Sequence, residues 1–479
     1  MYLSRFADDG RGQLTTQHLE ETAQYASMLG KKLNLSAMTS VAALLHDIGK
    51  YSGKFLEYLL HANQCKKVGE KVPPRGHVIH STQGAKYVCE LGDLGTDRLL
   101  TEIIAICIAG HHGGLMDGMS PVGDTPLRDR LTSDEKEIYY DEVRAVFEEE
   151  CSFTGELGDL LHSCRDELST FLKLCKEKKL NAPFMIQMLV RSVFSCLVDS
   201  DRYNAYCFET KEIPEACQFI PPWEKYALRL EQAIAVFPSD TEIARIRHDI
   251  SDRCLRASER PKGIYRLDVP TGGGKTLSSL RFALNHAKKY NMGHIIYIIP
   301  YLSVLEQASS EIKDALKYHE SENFILEHHS NIAPSDDEHE AKANRLLTDR
   351  WDSPIIITTM VQFLESIYSD KSGDLRKFHN MSNAVFIFDE VQSLPIKCLH
   401  LFNEAINYLY HFAGCSVLLC TATQPPFDKA ERPIHLSSSS ALISDVSAGL
   451  RNLKRTYIKD STIHGGYSTE KLQQFVLDK

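Results

Sequence analysis

The chain has 479 residues, of which 43% are hydrophobic and 25% are charged. At roughly 150 residues per domain the length predicts about three domains, and the composition excludes a disordered or collagen-like chain and a small disulfide-held scaffold. The 64 acidic residues outnumber the 54 basic ones and give a net charge of −10, so a nucleic-acid partner would need a local basic surface.

The 13 cysteines include no Cys-x-x-Cys pair, and many of them lie in apolar runs such as Ile106–Ile108, which is typical of reduced core thiols. No apolar run approaches the roughly 18 residues that span a bilayer. The segment Met1–Arg5 lacks the hydrophobic core of a signal peptide. We therefore expect a cytoplasmic protein with no membrane partner.

Residues 14–205 place apolar side chains at three- and four-residue spacing, for example over 36–45 and 182–198, which predicts an all-α domain over 1–208. Pro214, Pro221 and Pro222 interrupt this pattern and predict a linker over 209–224.

Short β-rich runs alternate with helical patterns after the linker, which predicts an α/β domain with a parallel sheet over 225–430. The predicted strands cover 263–269, 294–299, 324–327, 355–359, 384–388 and 416–420. The fold class is therefore multidomain, with an all-α domain followed by an α/β domain.

An adjacent pair of metal-type ligands, His46 and Asp47, ends an apolar helix in the first domain. Its companions along the chain are His18, His80, His111, His112 and Asp199. Five histidines and two aspartates can supply two metal ions, and Asp47 is the natural bridging ligand because a carboxylate has two oxygens. Two ions roughly 3.5–4 Å apart stabilise the attacking and leaving oxygens of a phosphodiester. Imidazole suits Mn²⁺, Fe²⁺, Co²⁺ or Ni²⁺ better than Mg²⁺.

The choice of the last metal ligand and the interpretation of a second His-Asp pair depend on the neighbouring sequence. Asp199 is preferred to Asp201 as the last ligand because it closes the apolar periodicity of its helix and faces inward, whereas Asp201 can pair with Arg202 or solvent. A second pair, His248–Asp249, lacks the preceding apolar run and the following Gly-Lys, so we interpret it as surface.

The order of these residues resembles the HD-domain superfamily of metal-dependent phosphohydrolases, and the histidine doublet is most similar to its nuclease branch. The resemblance covers roughly residues 14–205. It implies one metal held by His18, His46, Asp47 and Asp199, and another held by Asp47, His80, His111 and His112. It also implies that Asp47 is catalytic and that Lys50 lies beside the scissile phosphate. A lysine near a helix C-terminus also has a purely structural explanation, because its charge interacts favourably with the helix dipole.

A glycine-rich turn joins a predicted strand to a predicted helix over residues 265–276. Its glycines let backbone amides surround phosphate oxygens, Lys275 reaches the β- and γ-phosphates, and Thr276 offers a hydroxyl to Mg²⁺. Val269 stands where the first glycine of a general P-loop would be, which is the shorter form that helicases use. ATP with Mg²⁺ is therefore the predicted cofactor, and its predicted binding residues are Thr271, Gly272, Gly273, Gly274, Lys275, Thr276 and Asp389.

Acidic residues follow the strand predicted at 384–388, where Asp389 would hold Mg²⁺ through water and Glu390 would activate the attacking water. Thr421–Thr423 matches the helicase motif that couples hydrolysis to strand movement. Two further pairs match motifs that line a nucleic-acid path: Pro300–Tyr301 with Gln307, and Thr358–Thr359 with Gln362.

Residues 225–430 resemble the first RecA-like domain of superfamily 2 helicases. With an HD domain ahead of it, the chain is similar to the type I CRISPR-associated nuclease-helicases. The resemblance implies a prokaryotic protein that a Cascade-type surveillance complex recruits to an R-loop, where it nicks and degrades the displaced single-stranded DNA.

Such a motor needs a second RecA-like domain, and we expect residues 431–479 to be only the approach to one, with ATP turnover impaired. Two other functions stay open. One is an HD phosphohydrolase that acts on nucleotides, and the other is a non-catalytic module that binds or recruits nucleic acid.

Overall fold

The computed structural model describes residues 1–74, 78–92, 96–120, 122–134, 138–212, 220–270, 272–329, 348–423, 425–443 and 460–478. The chain begins with an antiparallel hairpin of β1 (Leu3–Phe6) and β2 (Gly12–Leu14). Nine helices described before the linker follow it: α1 (Thr15–Lys31), α2 (Ser36–Leu45), α3 (Gly53–Val68), α4 (Thr82–Leu91), α5 (Arg98–Gly110), α6 (Pro126–Leu131), α7 (Tyr140–Glu150), α8 (Leu157–Glu177) and α9 (Ala182–Thr210).

Helix α9 is the central core helix of this region. Its N-cap Asn181 accepts a hydrogen bond from the Phe184 amide, and a proline occupies its first turn. By length and composition α9 is apolar enough to cross a membrane, but 67% of its apolar window is buried inside the protein, where it packs on α1, α2 and α5. Gln187 and Arg191 interrupt the apolar run of this helix, and burial in the core explains its apolar sequence.

The second region contains a six-stranded sheet with strand order β3-β8-β7-β4-β6-β5. All of its described strand pairs are parallel. The strands are β3 (Ile264–Asp268), β4 (His294–Ile299), β5 (Ile325–His328), β6 (Ile355–Thr359), β7 (Ala384–Phe388) and β8 (Ser416–Thr421). A helical region, with only a short hairpin ahead of it, followed by a parallel α/β sheet confirms the predicted fold class.

The helices of this region precede, connect or follow the strands. They are α10 (Trp223–Ala235), α11 (Glu242–Ala257), α12 (Lys275–Tyr290), α13 (Leu302–Leu316), α14 (Met360–Tyr368), α15 (Ser372–Leu375), α16 (Leu399–His411) and α17 (Thr469–Leu477).

Both faces of the sheet are buried, which is why its strands are nearly continuous apolar runs. On β4, Ile295 and Ile299 belong to a core shared with α10–α13. Ile296 and Ile298 belong to a second core that continues into the helical region around α9. The two regions therefore pack against each other through a common apolar core.

Residues on either side of the two predicted boundaries are described. Helix α9 ends at Thr210 and α10 begins at Trp223, while residues 213–219, including Pro214, lie outside the described residues. After the sheet, the backbone of Arg266 in β3 bonds to Ser440 and Leu442, so residues 440–442 run along the β3 edge. The domain boundaries themselves stay predictions.

Candidate metal centre and nucleotide site

Seven side chains of the helical region form two overlapping groups that share Asp47. In each group the ligand atoms lie within 4.8 Å of one another. The groups are Asp47, His80, His111 and His112, and His18, His46, Asp47 and Asp201. They come from the ends or the interior of α1, α2, α5 and α9 and from the segment before α4.

Asp47 connects the two groups because its carboxylate oxygens face in different directions. Its Oδ2 atom lies 3.2 Å from His18 Nε2 and 3.3 Å from His46 Nε2. Its Oδ1 atom lies 3.4 Å from His111 Nε2 and 3.7 Å from His80 Nε2. With the side chain fully buried, each oxygen is available to one group, as a bridging ligand requires.

Backbone carbonyls fix the orientation of three of the histidines. Nδ1 of His46 lies 2.7 Å from the Ala43 carbonyl oxygen, and Nδ1 of His111 lies 2.7 Å from that of Ile108. His80 makes the same contact with a carbonyl at 2.9 Å. A carbonyl oxygen only accepts, so Nδ1 carries the hydrogen and a neutral ring presents its Nε2 lone pair to the centre.

His18 is oriented by a side chain. Its Nδ1 atom lies 2.8 Å from Asn204 Oδ1, and Asn204 Nδ2 donates to Glu21, which fixes the direction of the amide. The Nε2 atoms of His18 and His46 then face each other at 3.3 Å. Two nitrogen lone pairs at that distance repel unless a proton or a metal ion lies between them, so this donor set fits a metal ion that replaces a proton on His46.

The second group also fits a cation. Asp47 Oδ1 and His111 Nε2 are buried and make no hydrogen bond of standard geometry to any described residue. The Nε2 atoms of His80 and His112 are 2.7 Å apart. Imidazole nitrogens with a carboxylate are ligands for first-row transition metals, and the site is therefore a candidate for binding divalent metal.

Burial controls the protonation of most of these histidines. It lowers the pKa of His18 and of His80 to about 4 and that of His112 to about 3, so these rings are neutral ligands at neutral pH. His46 differs: burial opposes its charge, but the carboxylates of Asp47 and Asp201 outweigh burial and raise its pKa to about 9. A metal ion would have to displace that proton.

The structure places Asp201, and not Asp199, in the candidate centre. Asp201 Oδ1 lies 3.5 Å from His18 Nε2 and 3.8 Å from His46 Nε2. The prediction of Asp199 as the last ligand is therefore wrong. Side chains two residues apart in an α-helix are rotated by about 200° around the helix axis, so Asp199 and Asp201 face opposite sides of α9.

Asp199 instead faces the sheet region. Its carboxylate accepts hydrogen bonds from Arg376 Nε at 2.7 Å and Arg350 Nε at 3.0 Å, and His379 Nε2 lies 3.4 Å away. The apolar periodicity correctly indicated an inward-facing, buried residue. It could not indicate that this face of α9 is covered by another region.

Two cationic side chains border the group that contains Asp201. Lys50 Nζ lies 2.5 Å from Asp47 Oδ2, and Arg5 Nη2 lies 3.1 Å from Asp201 Oδ1. The sequence predicted Lys50 at the site but gave no signal for Arg5, which is an isolated arginine ahead of the first helix.

The predicted phosphate loop lies between β3 and α12, and its glycines have steric reasons to be glycine. Gly272 and Gly274 have φ angles of +83° and +79°, which other residues rarely adopt. A Cβ on Gly273 would lie 2.4 Å from Val269 Cγ1. Thr271 lies outside the described residues.

The structure brings Lys275 together with both acidic residues that follow β7. Its Nζ atom contacts Glu390 and lies 3.8 Å from Asp389 Oδ1. Burial raises the pKa of Asp389. Burial would also raise the pKa of Glu390, but the hydrogen bond from Lys275 outweighs it and lowers that pKa.

These residues line a cleft of about 560 Å³ together with Thr276 and residues of α11. Arg247 Nε donates to the Gly272 carbonyl at 2.8 Å and so supports the loop. His248 also lines this cleft, its neighbour Asp249 is exposed, and neither belongs to the two ligand groups.

Two of the other predicted motifs make contacts of different kinds, and the first of them reaches a residue of the cleft. Gln392 donates to Glu390 Oε2 at 2.6 Å and contacts Thr421. Thr359 caps α14 by accepting from the Gln362 amide, which gives this pair a structural role beside its predicted one.

Two family models match separate parts of the chain. One is described as "HD domain" and matches residues 15–141. The other is described as "Type III restriction enzyme, res subunit" and matches residues 228–425. By fold and site the chain is thus an HD domain joined to a helicase-type domain, as the sequence predicted.

A curated relative contains both parts. The CRISPR-associated nuclease/helicase Cas3 of Haloferax volcanii is 24% identical over 487 residues, which cover 88% of this chain and 49% of the relative. The chain is similar to this nuclease/helicase along most of its own length and spans about half the length of the curated relative it matches.

Solved structures agree in fold. The T. fusca Cas3–ADP structure has a TM-score of 0.50 at 16% identity, covering 88% of this chain and 50% of that one. The T. fusca Cas3–AMPPNP structure has a TM-score of 0.50 at 17% identity, covering 88% and 51%.

Proposed function

We propose that this chain is a metal-dependent nuclease of single-stranded DNA, fused to an ATP-binding helicase-type domain that acts in type I CRISPR defence. The observation that carries the proposal is the buried Asp47 carboxylate with one oxygen in each of two imidazole-rich groups. Homology to Cas3 supports the choice of nucleic acid as substrate.

The proposed centre would hold two cations, with Asp47 in both ligand sets. His18, His46 and Asp201 complete one ligand set, and His80, His111 and His112 complete the other. Mn²⁺, Fe²⁺, Co²⁺ or Ni²⁺ suits these nitrogen-rich ligands. Such cations supply Lewis-acid polarisation of the phosphate and activation of water at neutral pH.

The protein side chains position the substrate for hydrolysis. Lys50, which contacts Asp47, would donate to a phosphate oxygen of the substrate. The oxygen of water forms the new bond to phosphorus, the ester P–O bond breaks, and the leaving oxygen takes up a proton. The products are one phosphate end and one hydroxyl end.

The second site is proposed to bind ATP with Mg²⁺. Gly272, Gly273, Gly274 and Thr271 would surround the phosphates, and Lys275 would leave Glu390 for the γ-phosphate. Thr276 and Asp389 would hold Mg²⁺, and Glu390 would then activate water. The predicted impairment of ATP turnover stays a prediction.

The proposed partners are the displaced single strand of an R-loop and a Cascade-type surveillance complex, in the cytoplasm of a prokaryote. The cysteines within the described residues are free, which agrees with a reducing compartment.

The direct test is cleavage of circular single-stranded DNA by the 479-residue chain, with Mn²⁺ and without ATP, beside a sample containing EDTA. A circle has no ends, so linear product requires internal cleavage. We expect cleavage with Mn²⁺ and none with EDTA. Hydrolysis of free deoxynucleotides with intact circles would favour the nucleotide phosphohydrolase, and a mobility shift with intact circles would favour the non-catalytic module.

A further inference from the structure

Arg5 reaches the candidate metal centre from the hairpin that precedes the HD domain. Its Nη2 atom lies 3.1 Å from Asp201 Oδ1 and 3.3 Å from His18 Nε2. The Arg5 side chain is 23% exposed, whereas His18 is fully buried. Arg5 therefore lies on the solvent side of this ligand group.

Arg5 and Lys50 occupy equivalent positions in this group. Each carboxylate of the group is held by one cationic side chain: Lys50 contacts Asp47, and Arg5 contacts Asp201. A divalent ion among the same ligands would repel both cations, because like charges a few ångströms apart interact strongly where water is scarce. Both side chains then need another anionic partner close to the centre.

The hairpin keeps Arg5 at the centre. The backbone amide of Thr15 bonds to the Tyr2 carbonyl, and Gln13 donates to Asn204, the residue that orients His18. At the other end of the hairpin, Arg11 donates to the Phe208 carbonyl in α9. Arg5 can thus change its partner by side-chain rotation while its backbone stays in place.

The chemistry of Arg5 fits a phosphate group. A guanidinium presents several N–H donors in a planar fork that matches phosphate oxygens. The Arg5 Nε atom is buried and makes no hydrogen bond to the described residues, so at least one donor of the fork has no partner among them.

We propose that Arg5 is a substrate-binding residue of the nuclease centre, which donates to a non-bridging oxygen of the scissile phosphate when metal is bound. This inference depends on the proposed nuclease function. It assigns to the N-terminal hairpin a part in catalysis beyond its packing on α9.

The test compares Arg5→Ala, Arg5→Lys and a matched control at an exposed arginine of α5, Arg98→Ala. Two quantities are measured for each: cleavage of circular single-stranded DNA with Mn²⁺, and Mn²⁺ affinity by titration calorimetry without DNA. We expect Arg5→Ala to lower kcat/KM by about 10- to 100-fold, the loss of a charge-assisted hydrogen bond. Its Mn²⁺ affinity should be unchanged or higher, because a positive charge has been removed.

Arg5→Lys should recover part of the activity, and Arg98→Ala should cleave within about twofold of the unmodified protein, as surface substitutions usually do. The proposal is overturned if Arg5→Ala cleaves normally, if it loses Mn²⁺ affinity in parallel with activity, or if Arg98→Ala is equally impaired. If the unmodified protein binds Mn²⁺ but cleaves no DNA, the proposed function fails first.

Discussion

Asp47 is the residue on which the metal centre depends, because its two oxygens serve two groups of histidines. Lys50 and His46 keep its pKa well below the usual range although burial opposes ionisation. The carboxylate is therefore charged at neutral pH, and no other described residue belongs to both groups.

Asp47→Asn should abolish cleavage while the protein stays folded, since asparagine has the same shape but cannot bridge two cations. Outer-shell substitutions at metal sites cost roughly 10- to 100-fold, so a direct bridging ligand should cost at least about 100-fold. Cleavage of circular DNA and circular dichroism measure the two effects. His162→Ala, at an exposed histidine of α8, should cleave normally, and persistent cleavage by Asp47→Asn would refute the site.

Asp201 should behave as a ligand although its neighbour Asp199 was the residue expected. Asp201→Asn removes a charged oxygen from the group with His18 and His46, so Mn²⁺ affinity and cleavage should both fall by at least about tenfold. Titration calorimetry measures the affinity. Asp249→Asn, at an exposed aspartate paired with Arg253, is the control; equal Mn²⁺ affinities in the two variants would remove Asp201 from the centre.

At the scale of elements, α9 connects the metal centre to the sheet region. Asp201 and Asn204 face the centre, while Asp199 faces Arg350 and Arg376 across the interface. These two arginines lie on either side of β6 and α14 in the sequence. A displacement of that unit would therefore act on the helix that carries Asp201.

Asp199→Asn should destabilise the protein by about 3–5 kcal/mol, since it leaves two buried arginines without their carboxylate. Urea unfolding measures this change. Asp240→Asn in the exposed loop before α11 should change stability by less than about 0.5 kcal/mol. If the two variants unfold alike, the buried pairs at the interface contribute nothing to stability.

The same interface should make stability depend on pH. Burial lowers the pKa of His379 to about 3, although Asp199 opposes the shift, whereas an unfolded histidine has a pKa near 6.5. Between those values only the unfolded state binds the proton, so stability falls as the pH drops below about 6.5. Protonation of His379 in the unfolded state lowers the free energy of unfolding by about 2 kcal/mol between pH 7 and pH 5.

His379→Gln removes that titration, so the difference in unfolding free energy between pH 7 and pH 5 should be smaller by the same amount in the variant. Urea unfolding at the two pH values measures it. Other buried histidines contribute equally to both proteins. An identical pH dependence in the two proteins would mean that His379 is protonated or solvated in the folded state.

At the scale of the whole molecule, the elements that sequence patterns predicted well are those buried on both faces. The strands at 294–299, 355–359 and 384–388 match the structure to the residue, because parallel strands covered on both sides are continuous apolar runs. The hairpin β1–β2 was not predicted, since strands of four and three residues are too short to show a period.

The residues that the sequence missed are defined by contacts between distant segments. Arg5 meets Asp201 across 196 positions of the chain, and Asp199 is buried by residues of the sheet region. Neither spacing nor periodicity carries information about such pairs. Asp47 and its histidines were predictable because the sequence places ligand-type residues at helix ends.

The most direct test of the central claim is electron paramagnetic resonance of the 479-residue chain titrated with Mn²⁺. We predict two bound ions per chain with a spin-coupled signal, as expected for ions roughly 3.5–4 Å apart, and loss of the coupled signal in Asp47→Asn. A single uncoupled ion at saturation, or a coupled pair that persists in Asp47→Asn, would contradict a two-metal centre bridged by Asp47.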